Sequence, residues 1–141
     1  MKIKVLFTGK TTDPWIRQGI GAYAGRIRHY VPFELMELRD EEQILKSLRS
    51  TDHLVLLDER GASFSSLDWA RNLEQKALHF PKDLVFAAGG PYGFPAALQA
   101  RCQERLSLSP MTFSHQLVRL VFLEQLYRAL TIIRGEPYHH E

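Results

Sequence analysis

Short apolar runs alternate with stretches of helical periodicity along the chain. Runs such as Ile3–Thr8 and Leu84–Ala88 are apolar, are followed by glycine, and are typical of buried strands. Between them, apolar residues recur every three or four positions, which predicts amphipathic helices. The predicted strands lie at 3–8, 33–39, 53–58, 84–88 and 106–108, and the helices at 14–30, 40–48, 66–78, 95–102 and 115–134. This alternation predicts an α/β fold, an open, mostly parallel sheet with helices on both faces.

The last predicted helix, at 115–134, has apolar residues around most of its circumference. A helix that is apolar on most sides is buried on most sides. One sheet of a small domain covers only one side of such a helix, so the pattern predicts a second subunit against the rest. In an open parallel sheet the ligand crevice lies beyond the carboxyl ends of the strands. Candidate chemistry therefore belongs to the loops that follow Thr8, Asp58, Ala88 and Leu108.

Composition limits the possible functions. The 141 residues suit one domain, and we expect a single domain over 1–141. Hydrophobic residues make up 45% and charged residues 24%, a globular balance that argues against disorder. The net charge of +2 is too small to indicate a nucleic-acid-binding protein by itself. Arginine, which suits phosphate contacts, nevertheless outnumbers lysine 12 to 6.

Cysteine use and hydropathy indicate the compartment. Cys102 is the single cysteine, which excludes a disulfide within the chain and zinc sites built on several cysteines. The sequence shows neither a secretory leader nor the roughly 18 consecutive apolar residues of a membrane-spanning helix. We therefore expect a cytoplasmic protein that does not enter a membrane.

Three loops carry candidate motifs. The glycine-rich segment 89–93 directly follows a buried strand, where glycine suits either the close approach of a ligand or a tight turn. Asp58 and Glu59 fit acid–base or metal chemistry, and they also fit an exposed charged turn. The segment 9–11 reads Gly-Lys-Thr, but the glycine that a phosphate-binding loop needs five residues earlier is Lys4. Nucleotide hydrolysis is therefore not supported.

Two later segments have unusual composition. The connection at 107–115 is apolar and rich in hydroxyl groups, so part of it is buried and its backbone must find hydrogen-bond partners. His115 there fits a base, but a histidine at a helix start is more often a capping or packing residue. The tail at 136–141 holds two adjacent histidines, which do not make a metal site without further spaced ligands.

Five ordered motifs lie between positions 57 and 139, and the residues before them agree at Gly9-Lys10, Gly19-Ile20 and Tyr23. The motifs are Leu57-Asp58-Glu59-Arg60-Gly61 with Ser65-Ser66, Gly89-Gly90-Pro91-Tyr92-Gly93, Leu106-Ser107-Leu108-Ser109 running into Met111-Thr112 and His115-x-Leu117-x-Arg119, Glu124-Gln125-Leu126-Tyr127-Arg128-Ala129, and Pro137-Tyr138-His139. Together they resemble the ribosomal RNA large subunit methyltransferase H family, which belongs to the SPOUT class.

The resemblance implies a specific reaction. Members of this family use S-adenosylmethionine to methylate N3 of a pseudouridine in 23S rRNA, and they act on assembled ribosomes as homodimers. The resemblance also implies that the C-terminal segment is threaded into a deep trefoil knot, a rare exception to the rule against knots. We expect the homodimer to form through the helix around 115–134, and no metal is implied.

The resemblance also assigns roles to residues. It places the cofactor against three loops, whose binding residues are Leu57, Gly89, Gly90, Ser109, Pro110, Met111, Thr112, Phe113 and Ser114. Tyr138 and His139 in the tail are the candidate catalytic residues, since a nearby base or cation favours the N3 anion. His115, Arg119 and His140 are the candidate RNA-binding residues.

One position departs from the family pattern. Many members carry arginine or lysine after the Tyr-His pair, where this chain has His140. A permanent cation is thereby replaced by a titrating one, which predicts that RNA affinity or turnover falls as the pH rises. Two alternatives stay open: a non-enzymatic α/β module that binds a nucleotide or a protein partner, and a methyltransferase that acts on a different RNA.

Overall fold

The computed structural model of the protein describes residues 1–79 and 82–141, in which strands and helices alternate as predicted. The elements are β1 (Ile3–Thr8), α1 (Pro14–Ile27), β2 (Phe33–Leu38), α2 (Glu41–Ser47), β3 (His53–Ser63), α3 (Ser66–His79), β4 (Leu84–Ala88), α4 (Ala96–Arg101), β5 (Glu104–Ser107) and α5 (Leu117–Arg134).

The five strands form one sheet in the order β2-β1-β4-β3-β5, and every pair is parallel. Val5 at the centre of β1 lies opposite Leu35 on one side and Phe86 on the other. The predicted α/β fold class is therefore confirmed, while the knot stays a prediction. Because all strands point the same way, the loops that follow β3, β4 and β5 meet at one edge of the sheet.

Alternation along the strands produces two apolar layers. Ile3, Val5 and Phe7 face a core that also takes buried residues from α1, α3 and α5. Leu6 faces the opposite layer, where Ile44 of α2 and other buried residues pack with α4. Helices therefore cover both faces, as an open parallel sheet requires.

Helix α5 lies between α1 and α3, both of which it contacts. A Cβ built on Gly19 of α1 would lie 2.7 Å from a methyl carbon of Leu120, so the absence of a side chain lets the two helices approach closely. The apolar circumference of α5 had predicted a second subunit. In the structure, two helices of the same chain take much of that role, and the homodimer stays a proposal.

Strand β3 continues beyond its predicted end at Asp58. Leu57 and Ala62 both align with Leu106 of β5, so the four residues between them bulge out of the ladder before pairing resumes. A Cβ on Gly61 would lie 2.5 Å from the carbonyl carbon of Arg105, and only glycine fits there without a shift. This bulge sets the position of Asp58, Glu59 and Arg60 at the edge of the sheet.

Candidate functional site

A cavity of about 540 Å³ opens beside the β3 bulge and at the carboxyl ends of β4 and β5. Its wall comes from segments 57–60, 88–94 and 111–115, together with Leu106, Leu108, Ser109, Gln99 and Val118. Small-molecule sites commonly measure roughly 300–1,000 Å³. The cavity therefore has the size and the position expected of a ligand site in an open parallel sheet.

The bulge in β3 forms one side of the cavity. Oδ1 of Asp58 accepts a hydrogen bond from the backbone N–H of Arg60 at 2.9 Å, which fixes the turn. Glu59 accepts a hydrogen bond from the hydroxyl of Thr112 at 2.5 Å. The second contact joins the bulge to the loop after β5, so a hydrogen bond connects two segments that line the cavity.

The glycine-rich loop forms the floor. Gly93 has φ of 77°, a left-handed conformation that favours glycine. A Cβ on Gly89 would lie 3.2 Å from the carbonyl oxygen of Gly93 and 3.3 Å from the ring of Phe94, so that position has little room for a side chain. The N–H of Gly90 donates to a carboxylate oxygen of Glu41 at 3.4 Å. The three glycines of this loop line the cavity without a side chain, beside Pro91, Tyr92 and Phe94.

Hydroxyl groups shape the loop between β5 and α5. The hydroxyl of Ser107 donates to the carbonyl oxygen of Ser109 at 2.9 Å, and Oγ of Ser109 accepts from the N–H of Met111 at 3.0 Å. Oγ of Ser114 accepts from the N–H of Leu117 at 3.0 Å and so caps the start of α5. Side-chain hydroxyls therefore provide hydrogen-bond partners for part of the loop's own backbone, as expected for a partly buried loop.

The tail at 136–141 packs against α5 and α1. The ring of Tyr138 meets the ring of Tyr127 edge-on with centroids 4.7 Å apart. Burial and hydrogen bonding to Tyr23, together with the charge of Glu124, raise the pKa of Tyr138 to about 12. The phenol therefore keeps its proton at neutral pH and is unsuited to the role of a base.

His139 sits beside an ion pair on α5. Arg128 donates a hydrogen bond from Nε to a carboxylate oxygen of Glu124 at 2.8 Å, and its Nη2 forms an ion pair with the same oxygen at 2.7 Å. Its remaining Nη1 donates to Nδ1 of His139 at 3.0 Å. His140 is exposed.

The tail and the cavity of one chain lie apart. The cavity reaches α5 at Val118, whereas the tail contacts the same helix at Glu124 and Arg128. Ten residues of α-helix rise about 15 Å. The structure thus brings the predicted cofactor loops together and leaves the tail of the same chain outside that group.

The comparison with protein families decides the class of the protein. A family model described as "Predicted SPOUT methyltransferase" matches residues 1–139. The chain belongs to the SPOUT methyltransferase family. The predicted family resemblance and the prediction of a methyltransferase are confirmed. The alternative of a non-enzymatic binding module is therefore set aside. Since SPOUT methyltransferases use S-adenosylmethionine, the predicted cofactor is confirmed with the family.

Full-length relatives narrow the family. A ribosomal RNA large subunit methyltransferase H from Parabacteroides distasonis is 45% identical over 157 residues and covers 100% of both chains. A protein of the same name from Geotalea daltonii is 48% identical over 153 residues, which cover 99% of this chain and 100% of the relative. The chain therefore belongs to the ribosomal RNA large subunit methyltransferase H family.

Solved structures agree on the fold. The SpoU methyltransferase AviRb from Streptomyces viridochromogenes, in complex with AdoMet, gives a TM-score of 0.54 at 13% identity over 95% of this chain and 58% of its own. The ribosomal RNA small subunit methyltransferase E from Neisseria gonorrhoeae, bound to S-adenosyl methionine, gives a TM-score of 0.55 at 8% identity. The match covers 94% of this chain and 66% of that protein. This chain spans less than two thirds of the length of each of these two proteins.

The predicted cofactor residues of the methyltransferase meet at the cavity with one exception. Pro110 is absent from the cavity wall, while the other eight predicted residues line it. His115, predicted to contact RNA, also lines the cavity. The predicted set therefore converges in space although its members lie up to 57 positions apart in the chain.

Arg119 departs from its predicted RNA contact. The side chain is 1% exposed, and its guanidinium donates to the carbonyl oxygens of Thr8 and Gly9 at 2.5 and 3.0 Å and to the hydroxyl of Thr11 at 2.9 Å. Burial lowers the pKa of Arg119, and the charge of Glu37, 3.5 Å away, opposes that shift. Because the guanidinium lies inside the protein, it ties α5 to the end of β1 and does not face RNA in this conformation.

The loop that follows β1 is a structural turn. Its N–H groups at Gly9, Thr11 and Thr12 donate to the carbonyl oxygen of Leu38, to the Glu37 carboxylate and to the Gln116 amide, at 2.6, 2.6 and 2.8 Å. These amides are therefore already used within the protein. The interpretation that this Gly-Lys-Thr segment does not bind phosphate agrees with the geometry.

Several contacts at the site had no clear signal in the sequence. The Glu59–Thr112 contact and the environment of Arg119 join residues more than 50 positions apart. The spacing of Glu124 and Arg128 was a usable signal, because residues four apart face each other on a helix. Among the described helices none could cross a membrane, and no group of three or more possible metal ligands occurs within 1–79 and 82–141.

Proposed function

We propose that this chain transfers a methyl group from S-adenosylmethionine to N3 of a pseudouridine in 23S rRNA, on the assembled ribosome, as a cytoplasmic homodimer with one domain per chain. The observation that carries the proposal is the cavity beside the β3 bulge and at the ends of β4 and β5, where the segments expected to bind the cofactor meet. The names of the full-length relatives support the choice of rRNA as substrate.

The residues at the cavity fit the cofactor. Backbone at Gly89 and Gly90 leaves room for its methionine and ribose portions, and the 109–114 loop offers main-chain groups for its adenine. Asp58 and Glu59 bring negative charge to the wall, which suits a sulfonium cation, with the exposed Arg60 as the opposing charge. When bound, the cofactor supplies an electrophilic methyl group. The chain's own residues hold it and exclude water.

A second copy of the chain explains the separation of tail and cavity. Tyr138 and His139 contact α5 between Glu124 and Arg128, which lie about 9–15 Å along the helix from Val118 at the cavity of their own chain. A homodimer that pairs through this helix can bring the tail of each copy to the cavity of the other. The small net charge of +2 is doubled in the dimer, and docking onto the folded ribosome supplies shape recognition.

The chemistry needs orientation and charge stabilisation. N3 of the base must lose its proton as the methyl group is transferred, and alignment at about 3–3.5 Å supplies much of the rate. Tyr138 keeps its own proton, since its pKa is raised to about 12, and it therefore orients its neighbours. His139 is the side chain in the tail that we expect to interact with the negative charge that develops on the base as N3 loses its proton. His115 at the cavity wall and the exposed His140 are the RNA contacts of this proposal.

Two damaged subunits test the shared site. A chain lacking residues 138–141 keeps the cavity, and Gly90→Leu adds bulk at the cavity wall while its new Cβ lies no closer than 3.7 Å to described atoms. We expect each variant alone to be inactive on ribosomes and a mixture of the two to recover part of the activity. Removal of Glu141 alone, a side chain 70% exposed, is the matched control and should keep activity.

Cofactor affinity separates the roles of the two variants. Titration calorimetry should give the tail-deleted protein the affinity of the wild type for S-adenosylmethionine and should show loss of binding for Gly90→Leu. Full methyl transfer by the tail-deleted protein alone would contradict a catalytic tail. If both variants are inactive alone and their mixture is inactive as well, the pairing of one copy's tail with the other copy's cavity is contradicted.

A further inference from the structure

The two ring nitrogens of His139 have different surroundings. Nδ1 lies 3.0 Å from Nη1 of Arg128. Nε2 is buried and has no hydrogen-bond partner in the part of the chain that the structure describes. The carboxylate of Glu141 lies 4.0 Å from Nε2, beyond hydrogen-bond reach.

The contact with Arg128 determines where the imidazole carries its proton. A guanidinium has donors only, so Nδ1 must accept and must present its lone pair. In a neutral imidazole the single proton then lies on Nε2. Arg128 is held in place by its hydrogen bond and ion pair with Glu124, which also raise the pKa of Arg128 and keep it charged.

The buried Nε2–H lacks an acceptor within the chain. A buried donor without a partner is unfavourable, so such groups are nearly always paired. The tail is also the segment that the proposed function brings to the cavity of a second copy. An acceptor from outside the chain therefore fits both the orphaned N–H and the position of the tail.

We propose that Arg128 is a positioning residue that fixes His139 as an Nε2–H donor, and that this N–H stabilises a carbonyl oxygen of the target base instead of removing its N3 proton. The inference rests on the proposed function, because the base is the substrate assigned there. A base at Nε2 needs a lone pair, and the tautomer held by Arg128 has none at that atom.

The methyl transfer balances without a protein base. N3 gives its proton to water, and the electron pair left behind is shared between N3 and the two flanking carbonyl oxygens. N3 then forms the bond to the methyl carbon, whose bond to sulfur breaks with its electron pair left on sulfur. A hydrogen bond from Nε2–H to one carbonyl oxygen stabilises the charge that N3 develops before this bond forms.

Nitrogen NMR of the isolated dimer tests the tautomer directly. In protein labelled with ¹⁵N-histidine, the signals of His139, assigned by their loss in His139→Asn, should show a protonated Nε2 and an unprotonated Nδ1 at neutral pH. Arg128→Met should mix the two tautomers, and Arg128→Lys, which keeps a donor, should restore the first. A protonated Nδ1 in the wild type, or an unchanged tautomer in Arg128→Met, overturns the proposal.

Substitution of His139 tests its role in the reaction. Asparagine can donate a hydrogen bond but cannot act as a ring base, so His139→Asn should retain kcat within about tenfold of wild type. His139→Ala should lose about a hundredfold or more, the usual effect of removing one such donor. His79→Asn, on the exposed end of α3, is the matched control. Equal losses in the Asn and Ala variants overturn the proposal.

The two measurements also separate this inference from the proposed function. The NMR result concerns the protein alone and needs no RNA. A wild-type protein with the expected tautomer that methylates no ribosomal RNA refutes the proposed function. A wild-type protein that methylates rRNA but carries its proton on Nδ1 refutes the inference alone.

Discussion

Replacement of Arg119 with methionine separates a structural role from an RNA contact. Methionine keeps an apolar stem of similar length and removes a guanidinium that is 1% exposed and donates to two carbonyl oxygens and one hydroxyl. Removing one side of a buried charged network commonly costs about 3–5 kcal/mol. We expect the free energy of unfolding to fall by about 3–4 kcal/mol, near the lower end of this range, because the partly exposed Glu37 regains contact with water.

Urea unfolding measures this loss. With an m-value of about 2 kcal/mol/M, the midpoint of Arg119→Met should fall by about 1.5–2 M. Protein concentration must be held fixed, since dissociation of a dimer shifts the apparent stability. Arg71→Met is the matched control, because Arg71 is 73% exposed and pairs with the exposed Asp68 at 3.2 Å, and the free energy of unfolding of this variant should change by less than about 1 kcal/mol.

The binding result completes the test. Since Arg119 ties the start of α5 to the end of β1, its loss should also weaken cofactor binding through the adjoining 109–115 loop. A variant as stable as Arg71→Met that binds S-adenosylmethionine normally and loses only RNA affinity would refute this reasoning. That outcome would restore the RNA contact that the sequence predicted.

Three further substitutions test other parts of the fold. Gly61→Ala should displace the β3 bulge, because its Cβ would lie 2.5 Å from the Arg105 carbonyl carbon, and calorimetry should show weaker cofactor binding. Burial raises the pKa of Glu104, but hydrogen bonds from a histidine and a lysine outweigh it and lower that pKa below 4.5. The resulting stability is present above pH 4.5 and is lost as the pH falls, so Glu104→Gln should flatten the acid side of the stability curve. A hydrogen bond to a glutamate raises the pKa of Tyr30 from 10.0 to about 12, so its contribution is lost as the pH rises through that interval, and Tyr30→Phe should remove this dependence in alkaline unfolding.

Local patterning predicted the elements of the fold well, because helix and strand periodicity depend on neighbouring residues. The strand predicted at the apolar run Ile3–Thr8 and the helix predicted to begin at residue 14 appear in the structure as predicted. The β3 bulge was missed, since pairing of Ala62 with Leu106 resumes only because β5 lies alongside. Strand order likewise depends on contacts between distant segments, which periodicity does not contain.

The candidate site was predicted in part. The loops at 89–93 and 109–114 follow strand ends, so parallel topology and family resemblance together place them at one cavity. The position of Arg119 could not be predicted, because a lone arginine on an apolar helix face suits both a buried network and an RNA contact. The Arg128–His139 contact depends on how the tail folds back onto α5, which no spacing in the sequence encodes.

Mass spectrometry of 23S rRNA tests the central claim most directly. Ribosomes from a strain that lacks this protein are compared before and after incubation with the purified protein and S-adenosylmethionine. The account predicts that one pseudouridine gains one methyl group at N3, and only when the cofactor and the intact protein are both present. An unchanged modification pattern, or a methyl group on a different nucleotide, would contradict it.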